Sequence, residues 1–162
     1  MPELPEVQTI VSGLNNSILN KKIEKIECYY HKIFLAPFGI VKESLLNSTI
    51  TNITRLGKYM FVYLDNQSIL VIHLRMTGQL FLKNLSFKPD KHTHIEFLFE
   101  GYSKKLIFRD IRKFGKFEII ESKNFCTYIK TKKLAKDALK MDFNTFKISL
   151  IKSIKYLDDP KI

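Results

Sequence analysis

The chain has 162 residues, enough for one domain with a sizeable core and little more. Hydrophobic residues make up 45%, which excludes a disordered chain; no apolar run reaches membrane-spanning length and the N-terminus lacks a signal-peptide apolar segment, so a cytoplasmic protein without a membrane partner is expected. The net charge of +11, from 27 Lys+Arg against 16 Asp+Glu, fits a polyanionic partner, or a lysine-rich surface that only keeps the chain soluble.

In chain order, the first element is a helix. Pro5 suits a first helical turn, where its missing N–H costs nothing. Val7, Ile10, Val11 and Leu14 follow at i, i+3, i+4 and i+7, an apolar stripe for a core-facing helix that ends by Asn20 to Lys22. A short strand is predicted around Ile23, Ile26 and Cys28 to Tyr30, and a short helix after Pro37, over Phe38 to Leu46. The stretch from Ile50 to Leu82 is dominated by β-branched and aromatic residues. Three strands are read within it, "KYMFVYL", "SILVIHL" and "GQLFL", with Asp65-Asn66-Gln67 as the turn between the first two. His94 to Phe99, Leu106 to Arg109 and Lys116 to Ile120 continue the pattern, with Gly101 in a turn. Beyond Ser122, Phe125 to Lys133 and Phe146 to Leu157 have helical periodicity. The expected fold is α+β and mainly β: a sandwich or barrel with an N-terminal helix and a short helical tail.

The two cysteines, Cys28 and Cys126, form no CxxC pair. They are read as small buried apolar residues, with neither a zinc ribbon nor a disulfide framework.

Four segments and the N-terminus carry candidate chemistry. Removal of Met1 leaves Pro2 with a secondary α-amine, whose pKa of roughly 7.7–8.0 keeps part of it neutral and nucleophilic near pH 7. Condensation with an aldehyde-level carbon gives an iminium without an N–H, which stays cationic and acts as an electron sink. Glu3 and Glu6 place carboxylates beside that amine for proton transfer, although glutamates also suit a first helical turn by complementing the helix dipole. A tautomerase that uses an N-terminal proline as base shares this start, but needs no such positive charge. "RLGKY", Arg55 to Tyr59, brackets a glycine with two cations and suits either a phosphate contact or an exposed turn. "HLRMTG", His73 to Gly78, ends a β-run with a histidine, an arginine and a methionine, Met76, that is either exposed or in the core. "HTH" at His92 to His94 has two imidazoles on one strand face, with no third metal ligand evident; phosphate or backbone bonding fits His92 and core burial the other. "FRDIRKFGKF", Phe108 to Phe117, interleaves cations and phenylalanines around one glycine, a composition suited to holding phosphates and stacking on bases.

Taken together and in order, "PELPEV", "RLGKY", "HLRMTG", "HTHIEF" and "RDIRKFG" closely resemble the formamidopyrimidine-DNA glycosylase family, which includes endonuclease VIII, from Pro2 to about Phe117. The resemblance implies a two-layer antiparallel β-sandwich with flanking helices, and a base-excision repair glycosylase with AP-lyase activity on double-stranded damaged DNA. Its usual substrates would be oxidised purines, 8-oxoguanine and formamidopyrimidines. It implies Pro2 as the nucleophile at the sugar C1′, forming a Schiff base, Glu3 as acid and base at the sugar, Glu6 as an orienting acid and Lys58 as a phosphate contact. His73 and His92 match residues that touch the DNA backbone. Met76, Arg112 and Phe114 match the three side chains that fill the gap left by an everted nucleotide, with Arg112 also reaching the orphaned base.

The resemblance weakens at the tail. The family's linker has a glycine and two prolines, whereas Leu134 to Leu139 reads "LAKDAL". The expected division is a catalytic domain over 1–133 and, over 134–162, a linker and the start of a helix-two-turn-helix domain. The family's further helices and zinc finger, with its structural zinc, find no match before Ile162, so no cofactor or metal is expected in this chain. A monomer is expected, with a separate chain supplying the missing module as one possibility. The competing expectation is a catalytically weak DNA-binding remnant or one half of a split glycosylase.

Overall fold

The computed structural model describes residues 4–134. Pro2 and Glu3, the helix expected over 146–157 and the expected second segment from residue 135 onward lie outside the described residues.

Helix α1, Leu4–Ser17, buries Val7, Val11 and Leu14 of the expected stripe, with Ile10 partly buried against the core. It docks on strand β2, Ile50–Leu56, by two polar contacts as well as by this apolar face. Asn15 Nδ2 donates to the Ile53 carbonyl at 2.9 Å, and Arg55 Nε donates to Gln8 Oε1 at 3.0 Å. Falling residue numbers on the helix meet rising ones on the strand. The N-terminal end of α1 is therefore directed toward the turn that follows β2.

Eight strands form two antiparallel four-stranded sheets. The first sheet runs in the order β1 (Ile23–Cys28), β6 (Thr93–Phe99), β7 (Lys104–Asp110) and β5 (Gly78–Asn84). The second runs β2, β3 (Tyr59–Leu64), β4 (Ser68–His73) and β8 (Lys116–Glu121). Helix α2, Phe38–Leu45, lies in the connection from β1 to β2 and sends Val41 and Leu45 into the core. The fold is thus α+β, mainly β, a two-layer sandwich with flanking helices.

Alternation explains the layers. On β3, Met60, Val62 and Leu64 join the core between the sheets, while Phe61 and Tyr63 face the other way. Helix α3, Phe125–Thr131, covers that outer face: Phe125 and Ile129 pack on Phe61, Tyr63, Ile69 and Val71. Burial on both faces is why β3 and β4 read as nearly continuous apolar runs. Phe117 sits where the layers meet, its ring 4.9 Å from Phe108 and 5.7 Å from Phe34. Burying each such ring contributes roughly 1.5–3 kcal/mol. The outer face of the first sheet carries instead a buried ion pair, Lys105 Nζ to Glu96 Oε2 at 2.7 Å, with Tyr29 OH donating to Glu96 Oε1.

Two expectations change. The stretch Ile50 to Leu82 holds four strands where three were read, because β2 is an edge strand whose polar Asn52 and Arg55 break the apolar pattern. Cys28 and Cys126 are half-buried free thiols rather than fully buried ones; burial raises the Cys28 thiol to about 11, so it is protonated at neutral pH. No described helix is long and apolar enough to cross a membrane.

Candidate nucleic-acid interface

Strand register gathers the candidate loops at one end of the sandwich. Leu56 pairs with Tyr59, Tyr59 with His73, and His73 with Lys116, so these residues form one row across the second sheet. Gly78 pairs with Asp110, and Arg109 with both Gln79 and Thr93, the corresponding row of the first sheet. The loops leaving these rows carry Lys58, Met76, His92, Arg112 and Phe114.

Lys58 follows Gly57 in the two-residue turn between β2 and β3, where Gly57 has φ +58. Glycine in the first position of such a hairpin fits the twist of the flanking strands. Arg55 does not join Lys58 as a paired phosphate clamp. Its guanidinium bonds Gln8 and the Gly57 carbonyl, so it fastens α1 to the hairpin. Glu6 lies in the exposed first turn of α1, the end directed toward this hairpin.

His73 ends β4, and its ring meets Tyr59 edge-on at 4.6 Å. The Arg75 amide donates to its Nδ1 at 3.0 Å, so in the neutral ring Nε2 carries the hydrogen. Burial, followed by the positive charges of Arg75, Lys58 and Lys132, lowers its pKa to about 4. At neutral pH His73 can therefore donate from Nε2 to a phosphate oxygen without adding a charge.

Two loops cross from one sheet to the other at this end: β4 to β5, carrying Met76, and β7 to β8, carrying Arg112 and Phe114. Met76 is 47% and Phe114 50% exposed, which settles the choice for Met76 in favour of the surface. Ile111, 58% exposed, adds a third apolar side chain that no motif singled out. In each loop a left-handed basic residue stands directly before the apolar one: Arg75, φ 58, before Met76, and Lys113, φ 61, before Phe114. Side chains with a Cβ adopt this region at a cost, so the surrounding bonds must hold it. The Lys113 ammonium rests 4.5 Å from the centre of the Tyr30 ring.

His92 and His94 part company. His94 is buried, 2% exposed, and its Nε2 donates to the Asp110 carbonyl at 2.7 Å. His92 precedes β6, half-buried, with its amide on Asp90 Oδ1 at 2.9 Å and its carbonyl accepting from the Asp110 amide. The irregular register between Thr93 and Ile95 breaks the simple alternation that would put both rings on one face. Asp90, bonded by the His92 amide and paired with Arg109 at 3.0 Å, is held down at about 2. Among the described residues no group of three or more His, Cys, Asp or Glu converges as a metal site requires.

Sequence reading missed Thr77 and Asp110. Asp110 is fully buried, its carboxylate bonded to the Thr77 hydroxyl and to the amides of Arg112 and Gly115. Neither carried a signal of its own: "RDIR" sets Asp110 among arginines at the end of a strand, and its burial comes from the loop bonds.

A two-layer β-sandwich with this loop end is shared with known proteins. The family profile described as the formamidopyrimidine-DNA glycosylase N-terminal domain matches residues 1–117. The chain belongs to the formamidopyrimidine-DNA glycosylase family. It is 36% identical over 157 residues to the formamidopyrimidine-DNA glycosylase of Streptococcus pneumoniae, covering 96% of this chain and 57% of that protein. It is 43% identical over 117 residues to that of Bacillus cereus, covering 71% of this chain and 42% of that protein. Among solved structures, the Lactococcus lactis enzyme in complex with FAPY-dG-containing DNA aligns with a TM-score of 0.77 at 37% identity, over 81% of this chain and 49% of that one. The same enzyme bound non-covalently to AP-site DNA aligns with a TM-score of 0.76 at 36% identity, over 80% and 49%. The chain thus spans about half the length of these relatives.

Proposed function

We propose that this chain is the catalytic part of a cytoplasmic base-excision repair glycosylase with AP-lyase activity, acting on oxidised purines in double-stranded DNA. The observation that carries this reading is the convergence of Lys58, His73, Met76, Arg112 and Phe114 at one end of the sandwich, toward which the N-terminal end of α1 is directed.

The chemistry begins at Pro2. Its amine attacks the sugar C1′, the C1′–N bond to the damaged base breaks, and the base leaves with the bonding electrons and takes up a proton. Glu3 supplies and withdraws protons at the sugar, helping to open the ring. The resulting iminium draws electrons from the C2′–H bond, and the 3′ phosphate leaves by β-elimination. Glu6 orients this first turn. Lys58 neutralises a phosphate beside the lesion, and His73 donates to another through Nε2; His92 adds a backbone contact. Met76 and Phe114 enter the stack vacated by the everted nucleotide, offsetting part of an unstacking cost of a few kcal/mol, while Arg112 bonds the orphaned base. Residues 1–133 form the catalytic domain and 134–162 lead into a second one, and no step needs a metal or cofactor.

The test is borohydride trapping. The Met-processed 162-residue protein is incubated with an abasic-site duplex and reductant, which converts an iminium to a stable amine crosslink. A covalent complex is expected, lost in Pro2→Gly and strongly reduced in Glu3→Gln. Salt-sensitive duplex binding without any crosslink overturns the lyase reading and leaves a DNA-binding protein.

A further inference from the structure

Among the described residues, Asp110 is the one buried carboxylate at the loop end, and its bonds leave in three directions. Oδ1 accepts from the Thr77 hydroxyl in the Met76 loop and from the Arg112 amide at 3.1 Å. Oδ2 accepts from the Gly115 amide at 2.7 Å, just beyond Phe114. The main chain of the same residue bonds the entry to β6: its amide donates to the His92 carbonyl at 2.9 Å, and its carbonyl accepts from the His94 ring. Thr77 Oγ1 also lies 3.4 Å from the Arg112 amide, so the two wedge loops touch through the same cluster.

A buried carboxylate is costly unless its oxygens are fully bonded, and the described residues offer Asp110 hydrogen bonds rather than an ion pair. Capping a single turn would satisfy it from one loop. Here the donors come from two loops that belong to different strand pairs, and each bond lies within one residue of a wedge side chain: Thr77 beside Met76, Arg112 itself, and Gly115 beside Phe114. Breaking the carboxylate frees both loops at once.

We propose that Asp110 is a positioning residue that locks the Met76 loop to the Arg112–Phe114 loop, so that the three wedge side chains enter DNA as one preset unit. This rests on the wedge reading of Met76, Arg112 and Phe114 given above. Asparagine in its place keeps the shape but turns one acceptor oxygen into a donor. In either orientation the NH2 then faces a backbone N–H, that of Arg112 or that of Gly115, which can only donate. The lock opens although the volume is unchanged.

The experiment has two independent readouts on the full 162-residue protein. The first is amide hydrogen exchange in the absence of DNA. Asp110→Asn is expected to speed exchange at Arg112 and Gly115 by roughly tenfold or more, with the amides of β3 and β4 unchanged. Unchanged exchange at both loop amides overturns the proposal, whatever happens with DNA. The second is the ratio of affinities for a duplex carrying a tetrahydrofuran abasic analogue and for the same duplex undamaged. Phe114→Ala and Asp110→Asn are each expected to lower this ratio, and the double variant to lower it no further than the larger single effect. A drop with Phe114→Ala and none with Asp110→Asn overturns the proposal. No drop with either Phe114→Ala or Met76→Ala sinks the wedge reading itself and with it the claim about DNA entry, while exchange still decides whether Asp110 locks the loops. If Asp110→Asn does not fold, Thr77→Val removes only the Met76-loop bond. It is expected to lower the ratio, and Thr77→Ser, which keeps the hydroxyl, to restore it; equal ratios for Val and Ser overturn the lock.

Discussion

The loop from β4 to β5 and the loop from β7 to β8 both carry the chain between sheets, and both place a left-handed basic residue before an exposed apolar one. They are closed by different materials. The Met76 loop closes on backbone: the Gly78 amide donates to the Leu74 carbonyl at 3.0 Å, and a Cβ at Gly78 would lie 2.4 Å from that oxygen. The Arg112–Phe114 loop closes on side chains, the Asp110 carboxylate and the Phe108 ring, and a Cβ at Gly115 would lie 2.7 Å from Phe108 Cζ. A closure made of backbone has no neighbour that can move aside. One made of side chains can adjust, but depends on the identity of those side chains.

Breaking the first closure should have the largest effect. Gly78→Ala is expected to destabilise the protein by about 3 kcal/mol, the upper end for overpacking, and to lower Tm by roughly 10 °C in thermal unfolding. Gly115→Ala should cost about 1–2 kcal/mol, because the ring it meets can tilt. The contrast sharpens in a double variant: Phe108→Leu removes the contacting ring atoms, so Gly115→Ala should cost clearly less in that background. No core substitution should rescue Gly78→Ala. Equal sensitivity of the two glycines would contradict the distinction.

Smaller effects concern the polar partner that only the first loop has, the ring of His73 on the Arg75 amide. Arg75→Gln should raise the His73 pKa from about 4, yet leave it below its ordinary value of 6.5, because burial is the larger cause and remains. An NMR titration of the ring reads this directly. The same ring also sets how stability depends on pH. The unfolded imidazole takes up a proton near 6.5 and the folded one only near 4. Between these values the unfolded state binds more protons, so stability falls as pH drops through that window and is fully reduced only below about 4. His73→Asn should flatten this part of the curve, measured by urea unfolding at a series of pH values.

Most of the architecture was legible because periodicity reports burial. The stripe of α1, the apolar runs of β3 and β4 and the turn at Asp65 to Gln67 stand where the pattern put them. The edge strand β2 was not separated out, since it packs beside a helix and its Arg55 serves that contact rather than simple alternation. At the loop end, residues that point outward were legible as motif positions, Met76, Arg112 and Phe114 among them. Residues that hold them were not. Arg55, read as either a phosphate contact or part of an exposed turn, is a fastener of α1; Asp110, which no motif reading singled out, is the centre of the loop cluster. Partners such as Thr77 and Gly115, separated from each other by dozens of positions, meet only through the sheet register.

At the opposite end of the sandwich, the turns between β3 and β4 and between β6 and β7 each stay within one sheet. A turn of that kind joins strands of one layer only. The crossing loops differ, because each is rooted in both layers. Any push delivered through Met76 or Phe114 therefore recoils into the whole sandwich, and the stiffness behind these side chains is that of two sheets and the core between them.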